Sequence, residues 1–454
     1  MDRPSRPSGP DGDAARALAE RASAVLRSND VGHMTTAAPA LYPHMWSWDA
    51  CFIAIGLSSV SVPRAILELD TLLRAQWRNG MLPHIVFSPD ADQYFPGADR
   101  WGCAELSADA PDEPRTSGIC QPPVHAIAVA RILEAAAERP AAEQHAAAEF
   151  LDRSWPRLLA WHRWLATARD PDLVGRVTIH HGWESGMDNS PRWDAPYSRV
   201  VVGDLPPYTR LDRAHVADAS ERPSDEEYDR YLWLVEEMRH VGYDDAAVAA
   251  TSSFAVEDAF FSAVLAVACE VMADLGRRHG RPAGEVEEMA GLADRFRAGV
   301  AESVDPATGL ARDRDRRTGQ WLGTQTLAGF APLLAGGADR DVQDRLLAMF
   351  TSEDWCGHPG FAVALPPSTS PTSPSFRART YWRGPQWPVV AWLFSWAFDR
   401  HGLPDQAVRL REEGLRLLAR GEFGEYYEPF TGEALGSSHQ SWTAAVALDW
   451  LVRG

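Results

Sequence analysis

The chain has 454 residues, 45% of them hydrophobic, and a formal net charge of −19, enough to bury one large core or two modest ones. That charge argues against nucleic acid or an anionic membrane as a partner. The absence of lysine, so that all 44 basic residues are arginine, excludes a Schiff base, a pyridoxal-phosphate anchor and a phosphate-loop lysine.

The N-terminal Met1-Asp2-Arg3-Pro4 lacks the apolar run of a signal peptide, and no uncharged apolar stretch reaches the roughly 18 residues of a membrane span. Five cysteines, odd in number and without a Cys-x-x-Cys pair, fit free thiols of a reducing compartment. These features place the chain in the cytoplasm.

The first helix is predicted over 13–28, where Ala14, Leu18, Ala22, Val25 and Leu26 recur at helical spacing. Tyr42-Pro43-His44-Met45-Trp46-Ser47-Trp48-Asp49 then runs into an apolar helix over 50–57. Two indoles and a tyrosine beside an acid suit a sugar platform, since pyranose faces stack on indoles while a carboxylate takes hydroxyl hydrogen bonds. A helix is predicted over 66–78. Residues 88–117 follow, rich in Asp, Pro and Gly and carrying Tyr94, in the manner of a lid. A helix pair over 121–138 and 141–168 breaks at Arg139-Pro140.

The densest stretch is Gly182 to Asp194, with three carboxylates, two tryptophans and two glycines on an irregular segment. It reads as one wall of a site, with Asp188 as its working acid. Short β-like pieces are predicted on either side, at 176–180 and 199–202, and a second polar loop spans 204–225. Helices resume over 225–241, 255–275, 282–300, 324–334 and 339–350. The proline-rich 366–374 is a loop. It leads to Arg379-Thr380-Tyr381-Trp382-Arg383-Gly384-Pro385-Gln386-Trp387-Pro388, ahead of a helix over 389–399. A helix over 404–419, a turn at 424–432 and a closing helix over 437–452 complete the chain.

The count is about twelve helices with little strand, and each aromatic-polar cluster sits just before a helix. Helices paired around a common centre would open all these loops on one end, as an (α/α)-type toroid does. A plain bundle or solenoid is the competing arrangement. The clusters supply aromatic platforms (Trp46, Trp48, Trp382, Trp387), an acid on each of two distant loops (Asp188, Glu425) and hydrogen-bonding groups (Asp49, Gln121, Gln440). Glycosidic bond cleavage needs such a set, one acid to protonate the leaving oxygen and a second carboxylate to activate water or attack the sugar.

Tyr42-Pro43-x-x-Trp46-x-Trp48-Asp49, Glu184-Ser185-Gly186-Met187-Asp188-Asn189-Ser190-Pro191, Tyr381-Trp382-Arg383-Gly384-Pro385-x-Trp387 and Glu425-Tyr426-Tyr427-x-Pro429-x-Thr431-Gly432 together resemble glycoside hydrolase family 63, within it the branch acting on α-glucosylglycerate and mannosylglycerate. The resemblance runs from Tyr42 to Trp442. It implies an all-α (α/α)6 barrel with long active-site loops and minor β content, in a single catalytic domain over 1–454 with insertions around 88–118 and 170–228. It also implies inversion at the anomeric carbon without metal or other cofactor.

By that resemblance Asp188 is the general acid and Glu425 the general base, roughly 6.5–9.5 Å apart as inversion requires. Trp48, Asp49, Trp382 and Trp387 form the hexose set. Arg222 and Tyr228 would face an anionic aglycone, and Tyr42, Trp46, Tyr94, Gln121, Tyr381 and Gln440 match positions around the same end. Glu184 and Glu428 are nearby carboxylates better suited to holding loops. His180, His181 and His439 lack the spacing of a metal trio.

The expected partner is thus a small anionic glycoside, and a homo-oligomer is left open. Two other function classes compete: a sugar isomerase or epimerase using histidines such as His180, His181 and His358, and a carbohydrate-binding protein without turnover.

Overall fold

The computed structural model describes residues 12–89, 94–211 and 222–453. The N-terminal residues 1–11 and parts of the two long loops, 90–93 and 212–221, lie outside the described residues.

Six helices form an inner ring: α2 (Ser47–Val60), α4 (His125–Ala137), α6 (Ala259–Arg278), α8 (Ala331–Ala335), α10 (Pro388–Arg400) and α12 (Ser441–Val452). Each packs on the next, and α12 returns to α2. Six more form an outer layer: α1 (Gly12–Ser28), α3 (Val62–Arg74), α5 (Ala141–Ala168), α7 (Ala283–Glu302), α9 (Arg340–Phe350) and α11 (Pro404–Leu418). The chain steps from an inner helix to its outer partner five times, and α1 backs α12. This closed double ring is an (α/α)6 barrel. Closure of α12 onto α1 and α2 rules out the open solenoid.

Composition explains which helix goes where. The inner helices α2, α10 and α12 are buried along almost their whole length, because helices cover them outside and ring neighbours flank them, so an all-round apolar sequence is stable there. The outer helices α1, α3 and α11 bury one stripe and show charge outward. Helix α6 is long and apolar enough to cross a membrane, but 89% of its apolar window is buried inside the ring.

Because every inner helix runs the same way, the segments preceding them gather at one end. Three small antiparallel sheets brace that end: β1 (Met45–Trp46) on β2 (Ile85–Val86); β3 (Val177–Ile179), β4 (Val256–Asp258), β5 (Asp313–Asp315) and β6 (Trp321–Leu322) in sequential order; and β7 (Tyr426–Tyr427) on β8 (Ala434–Leu435).

The helices expected from 121 and 437 start at His125 and Ser441, and the one expected over 324–334 is a 3-10 turn, Leu327–Phe330, running into α8. Three further expectations shift for a readable reason. The helix expected from 66 starts at Val62, because the Ser61 side chain accepts from the Arg64 amide and Pro63 fits the first turn. The helix expected from 255 starts at Ala259. Residues Val256–Asp258 pair with β3 instead, and the Asp258 carboxylate caps the helix through the Phe260 and Phe261 amides. The strand expected over 199–202 is absent: a short helix, Asp194–Ser198, runs up to it, and Val201 lies exposed with no partner strand.

At the seam where the ring closes, a Cβ on Gly56 of α2 would stand 2.4 Å from Ala445 Cα of α12. Gly56→Ala is therefore expected to cost about 1–3 kcal/mol through overpacking, read as a lower urea midpoint. Unchanged stability would mean the seam can give way.

Candidate active site

A cavity opens at the gathered end of the ring. Of the residues singled out from sequence, Tyr42, Trp46, Trp48, Asp49, Tyr94, Gln121, Asp188, Arg222, Tyr228, Tyr381, Glu425 and Gln440 line it together. Trp382 and Trp387 do not. They stack face to face, centroids 3.7 Å apart and 4° from parallel, beneath the lining residues Trp48 and Tyr381. They were expected in the hexose set, and the structure places them directly behind its lining. Tyr381 adopts φ +36°, a strained conformation for a side-chain-bearing residue, and takes the cavity position. The next residue, Trp382, is tied below by its amide to Asn189 Oδ1 at 2.9 Å.

The Gly182–Asp194 stretch is buried for most of its length, so its polar groups must be satisfied inside. Glu184 is gripped bidentately by Arg169, at 2.7 and 3.0 Å, and accepts from the His180 and Cys120 amides. Arg192 is fully buried over the Trp193 ring and bonds Asp258 at 2.9 Å and Asp313 at 3.0 Å. Gly186, at φ +69°, lies so close under Trp48 that a Cβ would meet its ring at 2.6 Å. Between these anchors Asp188 faces the cavity. Among the described residues its carboxyl accepts from no group beyond its own amide. Burial pushes its pKa up to about 7, Arg222 opposes this, and the negative charge of Glu425 adds to it.

Glu425 lies just before β7. It accepts from the Tyr42 hydroxyl at 3.0 Å and the Ser437 amide at 3.1 Å. Its backbone N–H bonds the carbonyls of Leu435 and Ser437, and Gly436, at φ +71°, leaves room that a Cβ would fill to 2.5 Å from Oε2. Burial raises its pKa, while Arg222 and these hydrogen bonds hold it down. Arg222 donates to the Tyr42 hydroxyl at 3.2 Å and sits 4.8 Å over the Tyr381 ring. Asp49, in the first turn of α2, is raised well above the usual carboxylate range by burial first and then by Glu425 and Asp188. Gln121 accepts from the Trp48 amide at 3.2 Å.

The other candidates have occupations elsewhere. Glu428 accepts from the Thr431 amide and hydroxyl at 2.6 and 2.7 Å and closes its turn. His181 accepts from the Trp183 amide at Nδ1 and holds the Tyr231 carbonyl at Nε2, and burial lowers its pKa to about 3. His180 is likewise pushed well down by burial and by Arg169. Neither these nor His358 and His439 line the cavity; the histidine that does, His84, has its pKa pushed down to about 3 by burial.

Sequence reasoning gave no individual site role to His84, Phe95, Trp183, Tyr231 and Trp442, which also line the cavity. Tyr231 was findable, since it lies three residues after Tyr228 on one helix face. His84 sits beyond β1 in a Pro-containing segment with no local signal.

The family described as "Mannosylglycerate hydrolase MGH1-like glycoside hydrolase domain" matches residues 42–443. The chain is 58% identical over 434 residues to the glucosylglycerate hydrolase of Mycolicibacterium hassiacum, covering 96% of this chain and 97% of that protein. It is 41% identical over 440 residues to mannosylglycerate hydrolase MGH1 of Selaginella moellendorffii, covering 97% and 86%. Among solved structures, the family 63 mannosylglycerate hydrolase of Thermus thermophilus in complex with Tris and D-glycerate matches with a TM-score of 0.86 at 41% identity, covering 95% of this chain and 99% of that one.

Glu184→Ala would leave Arg169 buried without its counter-charge and is expected to cost about 3–5 kcal/mol. Glu428→Ala loses only contacts within one turn, about 1–2 kcal/mol. Urea denaturation of both variants checks this, and equal losses would contradict the anchoring role given to Glu184.

Proposed function

The chain belongs to glycoside hydrolase family 63 and is a glycosidase, and we propose that it cleaves α-glucosylglycerate to glucose and glycerate with inversion at the anomeric carbon. The observation that carries this reading is that Asp188 and Glu425, from distant loops, line one cavity with Arg222 electrostatically coupled to both.

In this reading Asp188 is the general acid. Held near 7 by burial, it keeps its proton in the neutral range and gives it to the glycosidic oxygen as the C1–O bond breaks. Glu425 is the general base. The Tyr42 and Ser437 hydrogen bonds and the Arg222 charge favour its anion, which takes a proton from water as the water oxygen bonds C1 from the opposite face. Asp188 ends as the carboxylate and Glu425 as the acid, and exchange with solvent restores both.

Trp46, Trp48, Asp49, Gln121 and Gln440 surround the sugar, with Trp382 and Trp387 stiffening the floor beneath. Arg222, with the rings of Tyr42, Tyr94 and Tyr228 around it, meets the glycerate carboxylate, which a guanidinium fork matches bidentately. The 58% identity to a glucosylglycerate hydrolase favours glucosyl over mannosyl, the alternative raised by the more distant relatives. A cytoplasmic location is supported by the five cysteines, all buried free thiols.

Asp188→Asn and Glu425→Gln are each expected to lower kcat on α-glucosylglycerate by about 10²–10⁴-fold, with β-glucose as the first wild-type product by NMR. Loss of less than tenfold in either variant, or α-glucose appearing first, sinks the assignment.

The pH profile supplies a second check. The required proton on Asp188 is lost as pH rises through about 7, so the alkaline limb falls there. Arg222 lowers that pKa, so Arg222→Met should move the limb upward while raising KM. A limb that moves down or stays fixed contradicts the coupling.

A further inference from the structure

On the hydrolase reading above, the aglycone lies under Arg222, and Tyr94, Phe95, Leu211, Pro223 and Tyr228 close that end of the cavity. These come from three separate stretches of chain, and two residues outside the cavity tie them together.

The first is Tyr208. Its ring lies parallel to that of Phe95, centroids 5.4 Å apart and 4° from coplanar orientation. Tyr208 does not line the cavity and is half-buried, so the wall here is two rings thick, with solvent beyond. The Tyr208 ring also meets that of Tyr228 at 5.8 Å, and its hydroxyl donates to Asp229 Oδ1 at 2.5 Å. Tyr228 in turn donates to the Phe95 carbonyl at 3.0 Å.

The second is Arg210. Its guanidinium sits 4.4 Å over the Tyr228 ring and donates to the Pro223 carbonyl at 2.6 Å. Pro223 directly follows Arg222, so Arg210 fixes the backbone that carries the proposed carboxylate ligand.

We propose that this clasp, Tyr208 and Arg210 gripping Phe95, Tyr228 and Pro223, sets the length of aglycone the enzyme accepts. Tyr208 and Arg210 are positioning residues for specificity. They touch no substrate, but with both in place Phe95 cannot swing outward and the aglycone end stays closed behind a three-carbon acid. Without the outer ring, Phe95 has no backing and a longer acid can extend toward solvent.

The test compares kcat/KM for α-glucosylglycerate and for maltobionate, which keeps an α-glucosyl bond and a carboxylate but carries a six-carbon aglycone. Wild type is expected to favour the shorter substrate strongly. Tyr208→Ala should raise the maltobionate to glucosylglycerate ratio by about tenfold or more, mostly through KM for maltobionate. Arg210→Gln should move it the same way by less, and it decides the matter if Tyr208→Ala does not fold. Tyr208→Phe keeps the stacked ring and should keep the wild-type ratio.

A ratio unmoved in both Tyr208→Ala and Arg210→Gln, or a wild type that cleaves both substrates equally well, overturns the proposal while leaving the hydrolase reading intact. A wild type inactive on α-glucosylglycerate defeats that reading and the clasp with it.

Discussion

The site depends on how a buried irregular loop is kept in one shape. A helix or strand satisfies its own backbone, but a loop running through protein must find a partner for every polar group or lose more than a hydrogen bond's worth of stability for each one left over. Gly182–Asp194 meets that demand with two buried arginines. Arg169 comes from the end of α5 and holds Glu184, whereas Arg192 belongs to the loop itself and reaches out to Asp258 and Asp313 on β4 and β5. The four-stranded sheet is small, yet it delivers two carboxylates to one guanidinium, and one of them also caps the inner helix α6. Ion pairs this deep are weak stabilisers when counted net, but breaking one strands a charge. They therefore specify a geometry more than they add stability.

The same setting divides the carboxylates of the cavity into roles. Asp188 has only the cavity and Arg222 to offset its burial, so its proton is held to about 7. Glu425 is the more deeply buried of the two, yet it accepts from a tyrosine hydroxyl and a backbone amide, which suit an anion. Asp49 is furthest raised, pressed by burial and by both other acids, and in that state it can donate as well as accept toward a sugar hydroxyl. Arg222 is coupled to Asp188 and Glu425, and its hold on Tyr42 connects it to the latter. Asp188 and Glu425 are thus told apart by their hydrogen-bond partners, since burial raises both.

Much of the architecture was legible in the sequence because the ring obeys simple periodicity. Apolar runs such as 50–57 and 389–399 read as buried helices, and a dense polar-aromatic cluster ahead of each marked which end would open. Of the four-stranded sheet, β3 was legible as the β-like piece expected over 176–180, but its partners were not. Val256-Glu257-Asp258 and Asp313-Arg314-Asp315 are too short and too charged for an alternating pattern, and they are strands because Arg176 and Arg192 neutralise them from other segments. Trp382 and Trp387 show the limit of reading a motif by residue type. An indole beside a site can floor it without touching the ligand, and only the backbone turn at Tyr381 decides which ring faces inward.

Closing the ring and building the site are one event. Glu425 arrives on the segment before α12, the last helix, and its hydroxyl partner Tyr42 on the segment before α2, the second. Those segments meet only because Asn29 Nδ2 donates to the His439 carbonyl and Ser441 Oγ, Ser441 donates back to the Thr36 carbonyl, and Gly56 lets α2 and α12 touch along their backbones. Asp188 sits on a loop anchored by α5 and the four-stranded sheet, whereas Glu425 is held at the closing seam, so the two proposed catalytic carboxyls share one cavity only in the completed ring.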